Sequence, residues 1–382
     1  MSGCSHMMHK IYQAKVSTAI ICCTTNKTMP STLQYIILSW RYSHVISWCN
    51  QESFDWYHSQ IGRLEDVQTM EVSLAEIEYD DFANRAYSNL YLKGDILHLT
   101  CKDGSDIRAI VNHVIQPFTY SSVMTVTLEG RSEIRAILKL FDRRSMAPMR
   151  KEFGYPEWNL SSEAKYWEFV QSGGASKFTS WLYDGNSEEY DSDKWDTAQR
   201  ETYLNDECYE LFKNEVTAYD AMKDIQGRYI PQLLAEVTIN SHPVSVSDSQ
   251  YFFEVPGVLL KYIDGFPLSS IEENVSRVSW QQICEKAVQV VNIVCDHNIL
   301  NKDVRPDNMI VRADEGSNHD YEVFMIDFAF SRLRESNESD DEWRKAKWSQ
   351  DEEGTIGYVM QNRLKRGFEY KPSYRYIVHE NP

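Results

Sequence analysis

Basic residues are scarce in this chain: 39 Lys and Arg stand against 57 Asp and Glu, a formal net charge of −18. A surface so charged repels a phosphate backbone, so nucleic acid is not the expected partner, while a local basic cleft still suits a small phosphate ligand. Long apolar runs are missing as well. Near the N-terminus the longest, Ala19–Cys23 and Tyr35–Leu38, fall far short of the ~18 residues that a membrane span needs, so no membrane partner is expected. Lys10 and Lys15 precede the first of them as in a weak secretory signal, but Thr24, Thr25, Asn26 and Lys27 follow with no small-residue cleavage site. Paired cysteines are the third absence. Cys4, Cys22, Cys23, Cys49, Cys101, Cys208, Cys284 and Cys295 contain no C-x-x-C pair and no metal-like spacing. They predict reduced thiols in a reducing compartment, cytoplasm or nucleus. What is present is a globular composition: 42% hydrophobic and 13% aromatic residues over 382 positions suffice for one large or two medium cores.

Residues 1–65 mix Cys, His, Ser and Trp without a sustained period and read as an N-terminal leader of no assigned role. From Leu90 the pattern is that of strands. Leu90 to Lys93, the Gly94-Asp95 turn and Ile96 to Cys101 predict a hairpin, and Asp103-Gly104 turns the chain again toward Ile107 to Ile115. Val123 to Leu128, the Glu129-Gly130-Arg131-Ser132 turn and Ile134 to Phe141 predict a second hairpin in the same antiparallel sheet. Arg143 to Tyr203 is polar and irregular, with scattered Trp, and reads as an insertion packed by its aromatics. Cys208, Leu211, Phe212, Val216, Tyr219, Met222 and Ile225 then recur at helical spacing, with Asn205 or Asp206 as cap and Gly227 as stop. Val258 to Ile263 predicts a buried strand. Ile283, Ala287, Val290, Val291 and Val294 mark a second long helix, for which Ser279 and Gln282 have capping-box spacing.

After that helix comes Asn301-Lys302-Asp303-Val304-Arg305-Pro306-Asp307-Asn308, followed by the apolar Met309-Ile310-Val311. Two carboxylates, an amide and a guanidinium are costly to bury between a helix and a strand unless something there needs them. A second apolar strand, Val323 to Ile326, delivers Asp327 at its end, a position suited to a hard-cation ligand. Two further residues have complementary problems. Glu215 lies between Leu211 and Tyr219 at steps of four, a carboxylate on an apolar helix stripe, and Lys139 lies in an apolar strand between Leu138 and Leu140. Pairing solves both, across a sequence gap of 76 positions; the alternative is two snorkelling side chains with solvated tips.

The run from Cys295 to Asn308 resembles the helix end and catalytic loop of the protein-kinase-like superfamily, and Ile326-Asp327-Phe328-Ala329 resembles its metal-binding D-F-G element. More narrowly, the chain resembles kinase-like proteins of fungal genomes that carry a long insertion ahead of the second-lobe helix. The resemblance implies an α+β, bilobal protein-kinase-like fold. Residues 66–260 would form an antiparallel-sheet small lobe with an insertion at about 143–203, and residues 261–382 an abbreviated, mainly helical large lobe. It implies an ATP- and magnesium-dependent phosphotransferase acting on a hydroxyl of a protein or small molecule. By position Asp303 would be the catalytic base, Asn308 and Asp327 the magnesium ligands, and Lys139, paired with Glu215, the contact to the nucleotide phosphates. Arg305 stands where protein-serine kinases carry a lysine, either to neutralise the transferring phosphoryl group or as a salt bridge that holds the loop. His297 is expected only to meet the helix dipole.

This sequence departs from the pattern at four points. Gln116 to Ser122, which would cover the phosphates, has no glycine. Asn301 replaces a histidine and Ala329 a glycine, and 55 residues follow Asp327 without an A-P-E element. A small-molecule acceptor accords with that abbreviation, and so does the competing reading: a pseudokinase binding module that uses the acidic patch of the insertion, Asp184 to Asp193, and the Glu335 to Glu342 run for docking, where the plain expectation is a solvated loop.

Overall fold

Alternation with a period of two organises the first part of the molecule. In the strand Ser122–Leu128 the residues Ser122, Met124, Val126 and Leu128 are buried and those between them are half-exposed, the mark of a strand with one face on a core. The computed structural model describes residues 90–184, 192–241, 250–313 and 320–376, all within one unit of the chain, Ala75–Pro382; the leader assigned to residues 1–65 lies outside them. Strands β1 (Ile96–Cys101), β2 (Asp106–Ile115), β3 (Ser122–Leu128) and β4 (Arg131–Leu140) pair in sequence order, each antiparallel to the next.

The first expected hairpin is displaced. Leu90 to Lys93 forms no strand: the Leu92 N–H donates to the Asp95 carboxylate at 2.8 Å and the Gly94 N–H to the Val111 carbonyl at 2.8 Å, so this segment turns across β2. β1 pairs instead with β2 across Asp103-Gly104, where Gly104 has φ +82°.

The expected polar, irregular insertion is helical. Helices α1 (Ala147–Glu152), α2 (Leu160–Gln171), α3 (Gly174–Tyr183) and α4 (Thr197–Ala221) fill this region. Four of its charged side chains point inward. Arg143, Arg150, Glu163 and Glu201 are all buried; Arg143 donates to Glu163 at 2.7 Å and to Glu201 at 2.6 Å, Arg150 to Glu201 at 2.7 Å, and the Trp158 indole to Glu163 at 2.6 Å. Charged groups occupying core positions interrupt the apolar period, which is why the helices escaped a pattern-based reading. Aromatic packing is present as expected: Phe178 meets Trp195 edge-on at 5.2 Å between ring centroids, and Trp195 lies 5.2 Å from Tyr203. For the same reason α4 begins earlier than expected, at Thr197, with Asp196 and Gln199 forming a reciprocal capping box. It ends at Ala221, before Gly227.

Asp206 lies on α4, 3% exposed, accepting from Thr179 and Tyr251 hydroxyls at 3.1 Å each. Burial pushes its carboxyl up to about 6, against the pull of those two hydroxyls. A raised folded-state value contributes stability that is complete below the ordinary aspartate range and is lost as pH rises through about 6. Asp206→Asn is therefore expected to stabilise the protein by ~1–3 kcal/mol at pH 8 and to bring no gain near pH 4. Urea melts of both proteins at the two pH values check this, and a pH-independent difference contradicts it.

Strand β5 (Leu233–Asn240), whose burial pattern shows a single fully buried residue, Val237, was not legible by alternation. It pairs with β6 (Glu254–Lys261) and with β1, closing the sheet in the order β1-β2-β3-β4-β6-β5. The expected antiparallel sheet is thus a barrel, filled by Leu99, Val111, Met124, Val126, Leu138, Leu140 and their neighbours. β6 begins earlier than the predicted Val258. Its Gly257 lies opposite Leu140, where a Cβ would come within 2.6 Å of the Lys139 carbonyl oxygen.

Beyond the barrel, β7 (Phe266–Pro267) leads toward α5 (Trp280–Cys295), whose Ile283, Ala287, Val290, Val291 and Val294 are buried as their spacing requires. The capping box predicted at Ser279 is not made. A 3-10 turn, Arg277–Ser279, runs straight into the helix, so Ser279 already has helical φ and ψ and its side chain makes no cap hydrogen bond. His297 meets the end of α5 as expected, with Nδ1 2.8 Å from the Ile293 carbonyl. Strands β8 (Ile299–Asn301), β9 (Met309–Ala313), β10 (Tyr321–Met325) and β11 (Ser331–Leu333) follow, paired as β10-β9-β7 and β11-β8.

The last helices are α6 (Asp340–Gln350) and α7 (Glu352–Arg363). The Glu335 to Glu342 run is therefore not wholly loop. Ser339 caps α6 in a reciprocal box with Glu342, and Asp340, Asp341 and Glu342 occupy the first turn, where the helix dipole favours negative charge. Cys101, Cys208, Cys284 and Cys295 are free and buried. Among the described residues no helix is long and apolar enough to cross a membrane.

Candidate active site

Alternation along β4 sends Ala136, Leu138 and Leu140 into the barrel and leaves Lys139 on the other face, toward α4. There its ammonium meets two carboxylates, Glu215 at 2.8 Å and Asp327 at 2.7 Å. Lys139 and Glu215 are buried, while the Asp327 side chain keeps 29% of its exposure. The pairing expected across 76 positions is made, and Asp327 joins it. Burial alone would lower the Lys139 ammonium, but Asp327 and Glu215 outweigh it and hold it above the ordinary lysine value. Burial raises Glu215 against the pull of Lys139. For Asp327 the balance reverses: Lys139 outweighs burial, and the carboxyl lies below the usual aspartate range.

Glu215 also sets the segment after Asp327. Its Oε2 accepts from the Phe328 N–H at 2.8 Å, and Phe328 packs edge-on against Tyr219, one turn along α4, at 5.5 Å between centroids. Its other oxygen, Oε1, is buried without a partner. Asp327 itself has φ +68°, a left-handed conformation that aspartate adopts more readily than most non-glycine residues.

The polar turn forms the second half of the site. Asn308 donates through Nδ2 to the Asp303 carbonyl at 2.8 Å and to the Asp303 carboxylate at 3.0 Å, leaving its own side-chain carbonyl oxygen for another partner. Arg305 lies 3.5 Å from the Asp303 carboxylate and is half-exposed, the arrangement of a loop salt bridge. Burial raises the Asp303 carboxyl above the ordinary value; Arg305 and Asn308 oppose that shift without cancelling it, and Asp327 adds to it.

Five of the six residues singled out from sequence thus fall into two hydrogen-bonded groups, with Arg305 beside the second as an ion pair, and Asn301 joins the groups. Fully buried, it accepts from the Asp303 N–H at 2.8 Å and donates to the Asp327 carbonyl at 3.0 Å. A carboxamide carries both a donor and an acceptor, so the residue that marked a departure from the kinase pattern is the bridge. Sequence reasoning missed Glu352, whose carboxylate accepts from the Asn301 N–H at 2.8 Å; it lies in a polar stretch with no apolar period to set it apart.

The donor set fits a hard divalent cation only with help. Among the described residues no group of three or more His, Cys, Asp or Glu could hold a metal ion. Asp327 and Asn308 supply one carboxylate and one amide oxygen, the sparse protein share typical of magnesium held mainly by water and phosphate.

No protein-family model matches the chain, and no curated protein matches it. Solved structures do. The chain is similar to the Rio2 kinase–ADP/Mg2+–phosphoaspartate complex from Chaetomium thermophilum at 13% identity and a TM-score of 0.39, over 70% of this chain and 60% of that one. It is similar to the ROP18 kinase domain in complex with AMP-PNP and sucrose at 13% identity and a TM-score of 0.37, over 69% and 64%. The chain spans about three fifths of the length of these kinase chains, and at such distance the likeness says nothing of activity.

Proposed function

We propose that this protein is a phosphotransferase of the kinase-like kind, using ATP and magnesium to phosphorylate a hydroxyl. The observation that carries the reading is Lys139 held between Glu215 and Asp327, 2.8 and 2.7 Å away, with the Asp303–Asn308 pair tied to the same Asp327 through Asn301. A buried lysine given two carboxylates is costly as architecture alone, because burial of an ion pair seldom repays its desolvation. It makes sense where the ammonium must also meet phosphate oxygens. In this reading the barrel and the helices inserted in it form a small lobe, and the chain from about residue 261 an abbreviated large lobe.

Bound magnesium would neutralise charge on the phosphates, with Asp327 and Asn308 as its protein ligands. Lys139 orients the α- and β-phosphates, and Glu215 keeps Lys139 in place. Asp303 orients the acceptor hydroxyl and takes its proton as the oxygen bonds to the γ-phosphorus and the bond to ADP breaks. Positioning and charge neutralisation suffice for this chemistry.

One observation favours the second reading, a nucleotide-poor pseudokinase. The glycine-free segment is pinned where it enters β3: Tyr120 packs edge-on against Phe330 at 4.8 Å between centroids, and Ser122, the first residue of β3, donates to the Ser145 hydroxyl at 2.9 Å. A thermal-shift series separates the two. ATP with magnesium is expected to raise the melting temperature, ligand at ~100 times Kd giving about 2.7 kcal/mol. Excess chelator, or Asp327→Ala, should abolish the shift. Equal stabilisation with chelator present excludes the metal assignment, and none under any condition favours the pseudokinase.

A further inference from the structure

A cavity of about 100 Å³ lies between α5, α6, α7 and the segment after α7, and Trp348, Tyr358, Tyr370, Tyr374, Asp351 and Glu353 are among the residues that line it. Its aromatic part is built. The Tyr370 ring lies against Gly357, where a Cβ would come within 2.4 Å of the ring carbons, and stands at 85° to the Tyr358 ring, 4.8 Å away between centroids. The two planes meet as a corner. Tyr374 has φ +55°, a left-handed conformation unfavourable for a bulky residue, yet its ring is 63% exposed, so burial does not offset the strain. Trp348 and Tyr358 are 50% and 47% exposed as well. Large apolar rings left wet around one cavity mark a contact surface.

The charge of the cavity narrows what it can hold. Lys347 and Arg375 also line it, but each is already neutralised, by Glu352 and by Asp296. Asp351 and Glu353 pair with no Lys or Arg among the described residues. Glu353 accepts instead from the Tyr370 hydroxyl and the Ser373 N–H at 2.9 Å each, from the Ser373 hydroxyl, and from the Asn292 amide at 3.2 Å. Four neutral donors fill the acceptor sites of one carboxylate, so its charge is uncompensated while its hydrogen bonding is complete. A bare ammonium or a guanidinium would bring donors that Glu353 has no lone pairs left to meet, and their desolvation would go unrepaid. A trimethylated ammonium brings charge without donors, and aromatic faces attract it through the ring quadrupole. We propose that this cavity receives the trimethylammonium head of a methylated lysine on a basic segment of a partner protein. The volume, below the ~150 Å³ of a cavity that binds benzene, suits such a head group and excludes a nucleotide. A protein segment is favoured over a free small cation by the exposed rim, which a free cation would leave wet, and by the net charge of −18, which draws a basic segment to this surface. The inference goes beyond the phosphotransferase reading and does not depend on it.

Fluorescence anisotropy with the full-length protein tests this, using a labelled pentapeptide, Gly-Arg-Lys-Arg-Gly. Its central lysine is unmodified, trimethylated, or replaced by the neutral isostere in which carbon stands for the ammonium nitrogen. The trimethylated peptide is expected to bind ~10-fold or more tightly than either of the others, the first comparison reading the cost of unmet donors and the second the charge. Trp348→Ala should remove the preference. Tyr374→Ala, at a second exposed ring, should do the same, so that a folding defect in one variant does not decide the matter. Tetramethylammonium chloride, added as competitor, should displace the peptide only at a concentration ~100-fold or more above that of the unlabelled trimethylated peptide. Equal binding of the lysine and trimethyl-lysine peptides, equal binding of the isostere, or a preference that survives both substitutions would overturn the proposal. Tetramethylammonium as effective as the peptide would overturn the protein segment as the source of the cation.

Discussion

Asp303→Asn is expected to lower phosphoryl transfer, or slow ATP hydrolysis, by ~10²–10⁴-fold while leaving the stabilisation by Mg·ATP in place. The separation follows from the geometry. Asp327 and Asn308 are the residues placed to meet the cation, and Asp303 is bound to Asn308 by the amide nitrogen, not by the oxygen a cation would use. An asparagine at this position still accepts that hydrogen bond but takes no proton. The pH profile supplies a second check on the parent. Burial, first, and then the Asp327 charge raise the Asp303 carboxyl, with Arg305 and Asn308 opposing. The acid limb of kcat/KM should therefore fall off at a pH above the ordinary aspartate value, because the base must be ionised to act. Binding and turnover lost together in Asp303→Asn would show instead that the residue holds the fold or the metal.

The largest stability effect is expected at Lys139. Lys139→Met leaves the fully buried Glu215 and the neighbouring Asp327 facing each other without a cation and should cost ~3–5 kcal/mol at neutral pH. The loss depends on pH in a direction that identifies its cause. In the parent, Asp327 lies below its ordinary value, so its contribution is present above that value and fades only as pH falls through the lowered one. In the variant both carboxyls are raised. Their stability is then greatest in acid and is lost as pH rises, so Lys139→Met should regain ground on the parent as pH is lowered toward 4. Glu215→Leu should cost less, because Asp327 remains to pair the ammonium. Lys139→Met/Glu215→Leu should be more stable than Lys139→Met alone and should still show no response to nucleotide. Urea melts across pH decide the matter; single-variant costs that simply add in the double variant would mean that the two side chains are not coupled.

Much of the candidate site's geometry could be read from residues whose burial poses a problem. Glu215 on an apolar stripe and Lys139 in an apolar strand each demanded a partner, and the demand located a contact that no local pattern could. The turn from Asn301 to Asn308 was legible for the same reason, as an excess of polar groups between a helix and a strand. The same reasoning did not reach Arg143, Arg150, Glu163 and Glu201, because there the charges are so numerous that the segment reads as irregular, packed by its aromatics alone; a buried ion network and a polar loop have the same composition. β5 was missed because a strand that closes a barrel without a clean inward face has no alternation to display. Asn301 was read by what it replaced and not by what a carboxamide can hold on both sides, and Glu352 lies in a helix whose polar sequence gives no sign that one carboxylate is turned inward.

Crystals of the protein grown with manganese and a non-hydrolysable ATP analogue test the central claim most directly, because manganese can be located by its anomalous scattering. The account predicts a metal peak ~2.1 Å from an Asp327 carboxylate oxygen and from the Asn308 side-chain carbonyl, with the Lys139 ammonium on the phosphates and Glu215 still bonded to it. A nucleotide bound elsewhere, or a metal that touches neither Asp327 nor Asn308, would contradict it.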